Sequence, residues 1–198
     1  LEAAGVDYDK RGIKVDARLR TSNKKVFAIG DVVGSHQFTH VAGYHAGIVL
    51  RNVLFRLPAK VDYSAMPWVT YTDPEIAHVG MTEKQAREAH GDIRVLRHPF
   101  AENDRAQAER DTDGFAKIVT TAKGVMVGAS IVGPHAGELI QPYILPIQKK
   151  MKIGAVAGLI IPYPTLGEVN KRAAGSFYTS KLFSEKTKKI VRFLLKLG

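Results

Sequence analysis

Apolar and polar positions alternate from Gly12 to Arg18, with Ile13, Val15 and Ala17 set against Lys14, Asp16 and Arg18, which predicts a half-exposed strand. Val26 to Ile29 is wholly apolar and predicts a short buried strand that stops on Gly30-Asp31. From Val41 to Phe55 the period changes: Val41, Ile48, Val49, Val53 and Leu54 recur at helical spacing, and Pro58 closes the run. Arg56 to Met66, followed by Pro67, reads as a crossover to a second unit.

Strands come first in that second unit. Trp68 to Tyr71 and Ile76 to Gly80 flank the turn Thr72-Asp73-Pro74-Glu75. Thr82 with Gln85 spells a capping box for a helix to about His90. Ile93 to Phe100 predicts another strand, and Ala101 to Asp113 a polar loop. Phe115–Thr121 and Val125–Val132 predict a hairpin around Ala122-Lys123-Gly124. Helices follow over Gly137–Met151, Val156–Ile160 and, capped by Thr165, onward to about Tyr178. Strands before helices predict an α+β unit, not a wound parallel sheet. No internal repeat or low-complexity tract interrupts the order.

Composition narrows the function classes. No run approaches 18 apolar residues, so no transmembrane helix is expected. The start, Leu1-Glu2-Ala3-Ala4-Gly5-Val6, has neither an initiator Met nor a signal pattern, and the chain reads as a trimmed or proteolytic piece. With no cysteine among 198 residues, disulfides, thiolate nucleophiles and zinc-thiolate sites are excluded within them. The net charge of +10 invites a nucleic-acid reading. Its distribution argues against one. Residues 181–198 hold six Lys and Arg against the single Glu185, so half the excess sits in the tail, and elsewhere the basic residues are scattered without interleaved aromatics. In that tail Ile190, Val191, Phe193, Leu194, Leu195 and Leu197 cover an arc of roughly 200° at about 100° per residue. Such a helix either docks on its own protein or lies on a membrane surface.

Two segments carry chemistry. Gly30 permits a close backbone approach and Asp31 offers an acceptor suited to a polyhydroxyl chain, while Gln37-Phe38-Thr39-His40 leads into a helix start whose N–H groups suit a carbonyl or anionic edge. A plain turn at Gly30-Asp31 satisfies the same residues. His36 and His40 are four apart but lack a third ligand, so no metal is expected. Asn103-Asp104-Arg105 reads as a solvated loop. Glu168, three residues after Thr165, completes a capping box if Thr165 is the cap.

Several segments in order resemble one family. Val26-Phe27-Ala28-Ile29-Gly30-Asp31 is similar to the last FAD-contacting strand of the two-dinucleotide-binding-domain flavoprotein disulfide reductases, the pyridine nucleotide-disulfide oxidoreductases that include dihydrolipoamide dehydrogenase, glutathione reductase and mercuric reductase. Val69 to Gly80 resembles the opening of their interface domain. Asn103-Asp104-Arg105-Ala106, Asp111 to Phe115, Gly137-Glu138-Leu139-Ile140 and Pro162 to Glu168 follow in that family's order.

The resemblance implies the end of an FAD-binding α/β domain (1–58), a linker (59–65), an antiparallel-sheet-plus-helices dimerisation domain (66–180) and an appended basic tail (181–198). It implies that Asp31, on Gly30, binds the ribityl hydroxyls of FAD, and that backbone N–H groups of Gln37, Phe38, Thr39 and His40 face the pyrimidine edge of the flavin. NAD(P)H is the implied co-substrate, the protein a homodimer through 66–180, and its location cytoplasmic. Tyr163 and Glu168 are the implied active-site residues, acting on the partner subunit's flavin. Thiol-reducing members carry a pattern like His-Pro-Thr-x-x-Glu here; this chain has Tyr163, and mercuric reductases also resemble that spelling. A phenol with an ordinary pKa of roughly 10 is a poor base at neutral pH. Neither a Gly-x-Gly-x-x-Gly fingerprint nor a Cys pair is present, so these residues alone are expected to be inactive. The alternatives are a dihydrolipoamide dehydrogenase-type thiol reductase and a non-catalytic dimerisation module.

Overall fold

The computed structural model describes residues 1–197, and the chain divides into two units, Leu1–Tyr63 and Ser64–Gly198. In the first, β1 (Tyr8–Asp9) and β2 (Gly12–Ile13) form a minimal antiparallel hairpin. The strand expected over Gly12–Arg18 stops at Ile13. Asp16 ends it: its carboxylate accepts the backbone N–H groups of Arg18 (2.8 Å) and Arg20 (3.1 Å) and pairs with the Arg20 guanidinium at 2.7 Å, which turns the chain. These bonds hold Asp16 down at a pKa of about 2 against the opposing cost of burial.

The strand expected over Val26–Ile29 is also not formed as one. The segment makes a single bridge, Arg20 to Phe27, and then enters a 3₁₀ turn at Gly30–Val33. Its backbone bonds run to Leu19 and Thr21 and, within a turn, from the Val26 N–H to the Asn23 carbonyl. The helix α1 (Thr39–Val53) forms as its periodicity predicts. Leu19, Ile48 and Ala59 make a small core with Val15, Tyr44, Val49 and Val61, while Ile29, Val32, Leu54 and Phe55 stay exposed.

The second unit is α+β, as expected. Its sheet is antiparallel, with strand order β3 (Pro67–Thr70), β4 (Glu75–Gly80), β7 (Met126–Gly133), β6 (Phe115–Thr121) and β5 (Ile93–Pro99). The helix α2 (Glu83–His90) opens with the capping box that Thr82 and Gln85 spell, and buries Ala86 with Ile93 and Val119 on one face of the sheet. Ala116, Ile118, Ala129 and Ile131 point to the other face, into the main core. A bulge between Val119 and Thr120 accommodates the β6–β7 register.

Four further expectations change. The polar loop after Phe100 contains α3 (Asp104–Glu109), started by Asn103, whose side chain accepts the Ala106 N–H. The helix expected over Gly137–Met151 breaks into α4 (Ala136–Leu139), a 3₁₀ turn at Gln141–Tyr143 and α5 (Ile144–Gln148). Pro142 and Pro146 each remove an N–H that a continuous helix needs. The helix expected over Val156–Ile160 is α6 (Gly154–Ala157), which ends before the exposed Ile160. Thr165 is not the cap of α7 (Glu168–Leu182), whose N-cap is Gly167; the Thr165 hydroxyl donates to the Pro162 carbonyl at 2.8 Å instead. Glu168 is the first helical residue, so no Thr165–Glu168 capping box forms, and α7 runs four residues beyond Tyr178. The tail forms α8 (Glu185–Leu194).

Candidate functional site

The first unit builds its candidate edge around Gly30. The backbone there is left-handed (φ +70°), and a Cβ at this position would come within 3.1 Å of the Ala42 Cβ on α1. The Gly30 N–H donates to Nδ1 of His45 at 3.1 Å. His45 is fully buried on the apolar stripe that Val41, His45 and Ile48 make along α1. Because Nδ1 accepts, the imidazole proton sits on Nε2, which donates to the Tyr63 hydroxyl oxygen at 2.6 Å. Burial, with a smaller contribution from the neighbouring His36, lowers the His45 pKa and keeps the ring neutral. Burial likewise raises Tyr63, against a hydrogen bond from Ser35.

The groups that the sequence singles out surround this anchor. Asp31 is exposed, and among the described residues its carboxylate has no hydrogen-bond or ion-pair partner. Gln37 and Thr39 are exposed and Phe38 is half-buried, with its ring stacked on His40 at 5.2 Å. Phe38 is the N-cap of α1 and supplies no side-chain cap; its own N–H donates to the His36 carbonyl at 3.1 Å. His36 packs its ring on Tyr63 at 4.6 Å, and no group of three metal-ligating side chains occurs among the described residues.

The second unit holds Tyr163 and Glu168. Tyr163 is 69% exposed, and its hydroxyl donates to the Asp104 carboxylate at 3.0 Å. That bond, then the Asp104 charge itself, raises the Tyr163 pKa; Glu168 adds to the rise and Arg172 opposes it. The phenol therefore stays protonated at neutral pH and acts as a donor. Asn103, buried beside Asp104, accepts the Ala106 N–H at 3.0 Å and donates to the Thr165 carbonyl at 3.2 Å. Asn103 and Asp104 thus pin both ends of the Tyr163–Thr165 turn. The Glu168 half-buried carboxylate lies at the positive end of α7.

Sequence reasoning missed three of these groups. Asn103 carries a legible N-cap signal that the polar run around it hides. His45 sits in a helical stripe of apolar positions, which marks a buried histidine but not its partner. Asp104 gives no local sign, since Tyr163 is 59 residues away.

Comparison with known proteins follows the same two segments. The profile of the pyridine nucleotide-disulphide oxidoreductase dimerisation domain matches residues 66–174, and that of the pyridine nucleotide-disulphide oxidoreductases matches residues 1–46. A dihydrolipoyl dehydrogenase from Geobacillus stearothermophilus is 42% identical over 176 residues, which are 88% of this chain and 37% of that protein. A mercuric reductase from Bacillus cereus is 37% identical over 179 residues, 89% of this chain and 28% of that protein. Among solved structures, the HOCl-induced flavoprotein disulfide reductase RclA from Escherichia coli superposes with a TM-score of 0.82 at 29% identity, covering 88% of this chain and 41% of that one. The chain therefore spans well under half the length of the relatives it matches.

Proposed function

The chain belongs to the pyridine nucleotide-disulphide oxidoreductase family, and from that premise we propose that it is the C-terminal part of a cytoplasmic FAD-dependent NAD(P)H oxidoreductase, contributing one edge of the flavin site and the homodimer interface. The residues present fit the flavin. Gly30 is folded where a Cβ would crowd α1, the Asp31 carboxylate beside it has no partner among the described residues, and no side chain caps the start of α1. Asp31 would hold the ribityl hydroxyls, and the segment Gln37-Phe38-Thr39-His40 at the helix start would face the pyrimidine edge, with the Phe38 N–H already donating to the His36 carbonyl at 3.1 Å. Bound FAD supplies the redox centre between NAD(P)H and the acceptor. Helix-start donors there stabilise negative charge on a reduced ring.

The carrying observation is the lock of Gly30 by His45, a buried hydrogen bond that fixes the backbone from which Asp31 projects. The exposed Ile29, Val32, Leu54 and Phe55 support the same reading, because a small core that leaves them open suits a unit covered by further chain. The matched domain's description names dimerisation over residues 66–174, which supports a homodimer through residues 66–180.

Tyr163 bears on the acceptor. A dithiol–disulfide reaction draws on a base that titrates near neutrality, and a phenol whose proton is committed to Asp104 is not one. We assign Tyr163 a contact role at the acceptor through its hydroxyl oxygen, whose proton Asp104 holds, with Glu168 beside it, in a mercuric reductase-like arrangement rather than a dihydrolipoamide dehydrogenase-like one.

The test uses the gene product that contains these residues. The expected result is a dimer with a flavin band near roughly 450 nm that NADH or NADPH bleaches. A colourless dimer that oxidises neither nucleotide would instead identify a non-catalytic dimerisation module. These 198 residues alone are expected to turn over no NAD(P)H.

A further inference from the structure

The helix α8 lies beyond the matched dimerisation domain, and the family reading leaves it without a role. It is a deliberate helix start: Ser184 caps it by accepting the Thr187 N–H at 3.2 Å, and the Thr187 hydroxyl returns to the Lys181 carbonyl at 2.7 Å. The joint with α7 is therefore hydrogen-bonded, which fixes how α8 leaves the unit. None of its residues is buried. Ile190, Val191, Phe193 and Leu194 line one broad side, Leu195 and Leu197 follow in the turn after the helix, all are about half or more exposed, and Leu182 and Phe183 at the joint extend the apolar surface. Lys188, Lys189, Arg192 and Lys196 make the opposite, narrow side, with Lys188 paired to Glu185 at 2.7 Å.

A helix so divided needs a partner for its apolar side, and charge selects among the occupants. Residues 181–198 carry a net +5 and the rest of the chain another +5, half of the total +10 each. A second copy seated on α8 would bring cation against cation, tail to tail or tail to body. An anionic bilayer satisfies both sides at once, taking the apolar residues below the headgroups and pairing the lysines and arginine with lipid phosphates. Crossing the bilayer is a different matter: among the described residues no helix is long and apolar enough. At about 1.5 Å per residue α8 spans only half a hydrocarbon core or so.

We propose that α8 and the turn after it form an interfacial anchor that lies in the plane of an anionic membrane, with Phe193, Leu194 and Leu197 inserted and Lys188, Lys189, Arg192 and Lys196 among the headgroups. Lys186 lies on the apolar side, two turns before Phe193, and its long stem would let its ammonium reach the headgroups.

The whole chain is centrifuged with vesicles of phosphatidylcholine, with or without about 30% phosphatidylglycerol, at rising salt. The expected result is sedimentation with the anionic vesicles alone, weakening as salt rises. K188Q/K189Q/R192Q should bind about 100-fold more weakly, and F193S/L194S at least about tenfold more weakly. All five positions are exposed, and unchanged Trp68 fluorescence confirms that the unit remains folded. Equal binding to neutral vesicles, or unchanged binding by either variant, would overturn the proposal. So would a lipid-free self-association that F193S/L194S abolishes and anionic vesicles fail to compete away, because a second copy then covers α8.

Discussion

The backbone N–H of Gly30 donates to Nδ1 of His45 across 15 residues of sequence, at 3.1 Å and out of contact with water. An imidazole that accepts at Nδ1 must be neutral or lose that bond. The turn carrying Asp31 is therefore conditional on the protonation state of one histidine.

Acid should loosen this turn first. The folded-state pKa of His45 is depressed by burial, so the unfolded chain binds more protons in the window below its ordinary value of about 6.5. The stabilisation is fully present above that value and fades as pH falls toward the folded-state pKa. Amide exchange at Gly30 should be protected at neutral pH and lose protection on acidification. His45→Leu should remove the protection at every pH and cost about 1–3 kcal/mol. His45→Asn, whose amide oxygen can stand near Nδ1, should restore much of it without the acid sensitivity. Protection at Gly30 that ignores both pH and His45→Leu would show that the bond does not hold the turn.

Asp104 should govern the ionisation of Tyr163. Asp104→Asn removes the charge and weakens the hydrogen bond that raise the phenol's pKa, so the titration of Tyr163 should move down toward the ordinary tyrosine value. Ultraviolet difference titration reads this directly, with Tyr163→Phe identifying the signal that belongs to residue 163. A titration unchanged by Asp104→Asn would remove Asp104 from the site.

Asn103 should matter to stability more than its polar surroundings suggest. Asn103→Ala deletes the cap of α3 and leaves the Thr165 carbonyl without its donor, at a cost of about 1–3 kcal/mol. The single tryptophan, Trp68, lies in the second unit, so urea unfolding followed by its fluorescence reports that unit alone. A midpoint shift close to zero would mean that water replaces both bonds.

What the sequence made legible was local. Thr82 and Gln85 are three residues apart, and the box they spell is the one that forms. The turn Ala122-Lys123-Gly124 marks the hairpin, which appears within a residue of its expected bounds. Misreadings arose where a distant or competing partner decided the outcome. Val26–Ile29 has the composition of a strand, but strand identity needs a ladder, and among the described residues the segment makes a single bridge, to Arg20. Thr165 has the right side chain for a cap, but the Pro162 carbonyl takes its proton. The same holds for the candidate sites. Asp31 and Tyr163 stand out in the sequence, whereas His45 and Asp104, which hold them, act through contacts that no local pattern encodes.

The central claim is that the Gly30-Asp31 turn and the start of α1 form one edge of a flavin site. The most direct measurement is FAD affinity of the gene product containing these residues, stripped of flavin and titrated by flavin fluorescence quenching, as wild type and as Asp31→Asn. Tight FAD binding by the wild type and a loss of about tenfold or more in Asp31→Asn is the predicted result. Equal affinities for the two proteins, or no FAD binding by the wild type, would contradict it.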